Sequence, residues 1–195
     1  MLPTPSEALK ALYGVYLLAR HHPDAPAMFD CSVDGFWRSL FAAVLVLPAH
    51  TLITVRIQMT LSPVEYGVDD GITRLLIYVI AWLAYPALMV PITRVLGRGE
   101  RVIHYIVPYN WASVPIGYFF GIIALAGMTG LVSPDMEMGL NIGVYASVVL
   151  LLAEIARRQL LIGPTMAAGI VVLDLVFSVV VITMLETFAQ QPGAL

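Results

Sequence analysis

Apolar residues run along this chain in long blocks rather than in alternation. Five stretches are long enough to cross a bilayer, which takes about 20 mostly apolar residues: roughly 36–57, 72–96, 110–132, 139–156 and 165–188. Their length, and the absence of ten-residue polar/apolar alternation, predicts spanning helices rather than barrel strands. The expected fold is therefore all-α and polytopic: a cytoplasmic segment over 1–35, a five-helix transmembrane domain over 36–188 and a short tail over 189–195. Within the first segment, Thr4-Pro5-Ser6-Glu7 reads as a capping box with proline at the first helical position. Leu9, Leu12, Tyr13, Tyr16 and Leu17 then recur at helical spacing. They predict an amphipathic helix, packed under the bundle or lying in the headgroup layer, with partner docking as the functional alternative.

Composition points the same way. Of 195 residues, 59% are hydrophobic and only 12% charged, about half the charged share of a soluble domain. The mean hydropathy is +0.87. A soluble enzyme, a disordered protein and a nucleic-acid binder are excluded; the net charge of −3 offers no basic stripe for phosphates. The single cysteine, Cys31, makes no internal disulfide; its juxtamembrane place permits palmitoylation, although a bystander thiol is the plainer reading. The first twenty residues lack the basic start of a cleavable signal peptide.

Charge also orients the chain. With five spans, Lys10, Arg20, Arg38, Arg94, Arg98, Arg101, Arg157 and Arg158 fall on one side. Arg56 and Arg74 fall on the other, with Glu65, Asp69, Asp70, Asp135, Glu137 and Glu186. Cationic loops resist translocation, so the N-terminus is expected in the cytoplasm and the C-terminus outside, in a bacterial inner membrane.

Few polar residues lie at membrane depth. Asp174, inside the fifth span, must face the bundle and be paired or neutral. It is a candidate for an ion or proton relay, or for a polar clasp to His50, Ser113 or a freed carbonyl. His50, two residues after Pro48, is the only imidazole at that depth and a plausible partner for Asp174. Pro48, Pro86, Pro91 and Pro115 free backbone carbonyls and mark kinks, which transporters use at substrate sites and small bundles use as static bends. Glu154 with Arg157 and Arg158 reads as a boundary ion pair. Gly117/Gly121 and Gly139/Gly143, followed by Ser147, have the small-residue spacing of close helix packing. Gly127 and Gly130 lead into a hairpin around Ser133-Pro134-Asp135. Val102–Val107 reads as a short interfacial helix broken at Pro108, with Tyr105, Tyr109 and Trp111 as interface-belt residues and Phe36, Trp37 and Arg38 as anchors of the first span. His21, His22 and His104 lack metal-ligand spacing, so no metal is expected. No catalytic or cofactor-binding motif is present.

Two elements carry a family likeness: the Gly97-Arg98-Gly99 turn and the entry Tyr109-Asn110-Trp111-Ala112-Ser113-Val114-Pro115. With the five-span plan, they make the chain resemble the bacterial branch of the Yip-type (Ypt-interacting) membrane proteins. The resemblance implies a cytoplasmic N-terminal part, five spans, a short external C-terminus and a non-enzymatic membrane factor. The Asp-Leu-x-Gly-Pro element of the eukaryotic members is not present, so a Rab-type partner is not carried over. The leading expectation is a non-enzymatic scaffold or accessory subunit that associates with other membrane proteins or itself. The alternative is a small transporter or channel component using Asp174 and His50.

Overall fold

The computed structural model describes residues 2–61 and 68–189. Seven α-helices follow one another among these residues: α1 (Pro5–Ala19), α2 (Val33–Ser39), α3 (Ala42–Leu61), α4 (Val68–Val95), α5 (Val102–Met128), α6 (Pro134–Leu160) and α7 (Pro164–Ala189). Five helical segments are long and apolar enough to cross a membrane: Val33–Thr60, Gly71–Val95, Gly99–Met128, Pro134–Leu160 and Pro164–Phe188. The protein is thus an all-α polytopic membrane protein, and among the described residues there is no strand. Glu65 and the residues beyond 189 lie outside the described residues, so neither that part of the charge asymmetry nor the tail has a structural counterpart here.

α5 is the axis of the bundle. It packs against α3 on one side and α6 on the other, and also touches α1, α2 and α4; α7 leans on α6 and α4. Glycine permits the closest approach. A Cβ at Gly117 would stand 2.8 Å from Val46 Cγ1, and one at Gly121 would stand 3.0 Å from Ala49 Cβ, so this pair brings α5 against α3 as its spacing predicts. The second pair does not act in this way. Added Cβ atoms at Gly139 and Gly143 would meet nothing within 4 Å, because that stripe, with Ser147, lies on the exposed outer face of α6. The helix spacing was right, but α6 turns its small face away from the chain.

At one end of the bundle, α5 and α6 form the expected hairpin. Gly130 takes the left-handed conformation at φ +72°, which glycine adopts without a Cβ penalty, and Ser133 caps α6 through the Met136 N–H. Arg56 of α3 reaches across to Glu137 of α6, with Nε to Oε1 at 3.0 Å and Nη2 to Oε2 at 2.6 Å. Gly127 leaves room for that carboxylate: a Cβ there would stand 2.7 Å from Glu137 Cδ.

The opposite end is stitched by arginines. Gly97 turns the chain at φ +67°, after which Arg98 donates to the Leu161 carbonyl at 3.3 Å and Arg101 to that of Gln159. These cations satisfy carbonyls that the end of α6 leaves free and suit its negative dipole end. Glu154, 5% exposed, binds Arg157 at 2.9 Å, Arg158 and His21. The expected boundary pair is therefore a four-residue cluster, and Arg158 also donates to the His21 and His22 carbonyls, anchoring the segment after α1.

Three local expectations are corrected. α5 runs unbroken through Pro108 and Pro115, since a proline removes one N–H whereas a break at membrane depth would strand several backbone groups. The first span is instead interrupted between α2 and α3, where Ser39 Oγ donates to the Phe36 carbonyl at 2.7 Å and accepts from Asn110 Nδ2 at 2.9 Å. α1 has the predicted capping box at Thr4 and Glu7 and packs under the bundle as one expected reading has it, but through a different face: Ala11, Gly14, Val15, Leu17 and Leu18. Leu9, Tyr13 and Tyr16 face outward. Both faces of α1 carry apolar side chains, and Gly14 lets the inner one close on Met28 and Phe29, where an added Cβ would stand 2.7 Å and 2.8 Å away.

Candidate functional site

α3, α4, α5 and α7 enclose a cleft of about 250 Å³ at membrane depth. α3 contributes Val46 and His50, α4 contributes Tyr78, Trp82 and Tyr85, and α5 contributes Tyr109, Asn110 and Ser113. α7 closes it with Phe177, Ser178, Val181 and Ile182. The tyrosine-to-proline element that carries the Yip-type resemblance thus supplies the α5 wall.

Asp174 lies directly behind this wall and is 4% exposed. It is the eleventh residue of α7, about 15 Å along the helix, near the middle of a hydrocarbon core about 30 Å thick. The Tyr109 hydroxyl is 3.1 Å from each of its carboxylate oxygens, and Ser178 Oγ is 3.4 Å from Oδ1. Both hydroxyl-bearing residues line the cleft. Among the described residues no cationic side chain forms an ion pair with Asp174.

A tyrosine cluster supports Tyr109. Its ring centroid lies 4.7 Å from that of Tyr85 and 5.9 Å from that of Tyr105, and the Tyr85 and Tyr105 hydroxyls are 2.7 Å apart. Tyr105 and Trp111 are buried at 1% and 4% exposure, so these are interior residues rather than an interface belt. The phenol oxygens find partners inside the bundle, and an interfacial place is not needed to satisfy them.

His50 flanks the same cleft without touching the acid. Its ring centroid lies 4.5 Å from that of Tyr78, and its Nε2 is 3.5 Å from Thr54 Oγ1. The expected His50–Asp174 pair is therefore not formed, because Tyr109 and Ser178 take the carboxylate. Ser113 Oγ turns to the Tyr109 carbonyl at 3.2 Å instead. Tyr78 donates to the Ala43 carbonyl at 2.7 Å, tying α4 to α3 beside His50. The Trp82 indole N–H is buried without an acceptor among the described residues. Pro86 removes the helical donor of the Trp82 carbonyl, but none of the four prolines expected to kink their helices lines the cleft. Pro48 and Pro91 sit within α3 and α4.

Tyr78, Trp82, Tyr85 and Ser178 escaped sequence reasoning as site residues. The signal was present: Tyr78, Trp82 and Tyr85 stand at i, i+4 and i+7, one face of a helix, and Asp174 and Ser178 at i and i+4. In a chain this apolar, such spacing also describes ordinary packing. Among the described residues no three His, Cys, Asp or Glu side chains converge as a metal ion requires. No family model, curated protein or solved structure matches the chain.

Proposed function

We propose that this integral membrane protein binds and passes a small charged solute through the cleft over Asp174, as a small transporter or channel component. The observation that carries the reading is the carboxyl at mid-membrane held, among the described residues, by two hydroxyls whose residues both line the cavity. An intramembrane acid is expensive and marks ion or substrate paths. A static clasp would gain most from a cationic partner, and none is found among the described residues. In this reading Tyr109 and Ser178 transmit the charge of Asp174 to the cavity, and His50 and Asn110 supply polar contacts around it.

The test is uptake by proteoliposomes across a panel of labelled inorganic cations, ammonium-type cations and neutral osmolytes. The expected result is uptake of a charged solute that Asp174→Asn abolishes while the protein still inserts. No uptake across the panel, or uptake indifferent to Asp174→Asn, overturns the reading.

A second reading, association as a scaffold or accessory subunit, is favoured by the outward face of Gly139, Gly143 and Ser147, which no described residue covers. Gly143→Leu then reduces the assembly recovered in mild detergent. An unchanged assembly ends that reading.

A further inference from the structure

We propose that the cleft selects an alkylated ammonium cation over bare metal ions and neutral solutes. The inference rests on the cleft being a solute site and names the class of solute. Aromatic rings from three helices face the cavity: Tyr78, Trp82 and Tyr85 from α4, Tyr109 from α5 and Phe177 from α7. Two ring pairs lie among them, with Tyr78 and Trp82 centroids 5.7 Å apart and Tyr85 and Tyr109 centroids 4.7 Å apart.

Aromatic faces attract cations, tryptophan most strongly, and they suit quaternary ammonium groups, whose charge is spread over methyl groups. A small metal ion instead needs a shell of several oxygen ligands, and no three acidic or imidazole side chains converge among the described residues. Negative charge is available from Asp174. A cation against Tyr109 and Ser178 would stand one hydroxyl away from a carboxyl that has no cationic partner among the described residues. Size also selects. A cavity of about 250 Å³ falls below the roughly 300–1,000 Å³ typical of drug-sized ligands, so it suits a single small ammonium group rather than a large lipophilic cation.

Equilibrium dialysis of radiolabelled tetramethylammonium against the full chain in nanodiscs tests this assignment. Saturable binding is expected, with no displacement by sodium, potassium or the neutral analogue tert-butanol. Asp174→Asn should weaken it at least about tenfold. Trp82→Leu should weaken it about five- to tenfold, whereas Trp82→Phe, which keeps an aromatic face, should stay within about twofold of the parent. Each variant is compared only as a monodisperse, inserted protein. Absence of saturable binding, equal displacement by sodium or tert-butanol, or indifference to Trp82→Leu overturns the ammonium class. If Asp174-dependent uptake of another solute persists in that case, the solute-site reading stands without this class; if no such uptake exists, both fall.

Discussion

The Tyr109 hydroxyl stands 3.1 Å from both carboxylate oxygens of Asp174, joining α5 to α7 through a carboxyl that is 4% exposed. Removing this hydroxyl leaves the carboxyl with only the longer Ser178 contact. Tyr109→Phe is therefore expected to destabilise the protein by about 1–3 kcal/mol, the cost of a buried polar group left unsatisfied. Thermal unfolding in detergent reads the loss. In a double-mutant cycle, Tyr109→Phe together with Asp174→Asn should cost less than the sum of the two changes, because the residues share one interaction. Additivity would dissolve the pair.

The two glycine pairs separate cleanly. Gly117→Ala and Gly121→Ala place a methyl group against Val46 and Ala49, β-branched or backbone-near neighbours that cannot swing aside. Each should cost about 1–3 kcal/mol and lower the yield of folded protein. Gly139→Ala and Gly143→Ala meet nothing and should leave the isolated chain as stable as before or slightly more so, since alanine favours helix by about 1 kcal/mol. Comparative melting of the four variants decides it.

These glycines also mark how far the sequence could be read. The spans, the capping box, the hairpin at Ser133 and the Glu154 cluster follow from local chemistry: length, cap residues and charges three or four apart. Gly117 and Gly143 have the same spacing and opposite fates, because rotation of a helix about its axis is set by neighbours and not by its own residues. For the same reason Asp174 was legible as a residue that must be satisfied, while its partner was not. Tyr109 presents the same apolar ring to the sequence whether it sits at an interface or inside a bundle. α1 misleads in a related way, for it has two apolar faces and periodicity cannot say which one is covered.

The segment around α1 is held by ion pairs to Arg38, near the start of the first span. Arg38 meets Glu7 at 3.3 Å and also binds Asp30. The Thr4 backbone N–H holds the Glu7 carboxyl below its ordinary 4.5, and hydrogen bonds from Ser32 hold Asp30 below its ordinary 3.8. A carboxyl depressed on folding contributes stability above its unfolded value and loses it as pH falls through the folded one. Docking of α1 should therefore be constant from neutral pH down to about 4.5 and loosen only below about 4. Hydrogen exchange over residues 5–32 against pH checks this; loosening between pH 5 and 7 would contradict it.

Burial pushes the Cys31 thiol up to about 11. At pH 7.5 almost none of it is thiolate, the reactive form. Maleimide should label the folded chain slowly and the detergent-unfolded chain fast, with the folded rate rising toward pH 10. Rapid labelling of the folded chain at neutral pH would place Cys31 in a different setting.

Entry of a water-borne solute into the cleft over Asp174 is what the proposed function requires first. Its most direct test is thiol accessibility of Ser113→Cys and Ser178→Cys in a Cys31→Ser background, using a membrane-impermeant methanethiosulfonate reagent. Val176→Cys, on the exposed apolar face of α7, serves as the lipid-facing control. Both cleft cysteines should be modified from at least one side of the membrane, and position 176 should stay unmodified. Protection of both cleft positions from both sides would make the Tyr109–Asp174 contact a static clasp and close the cleft to any solute.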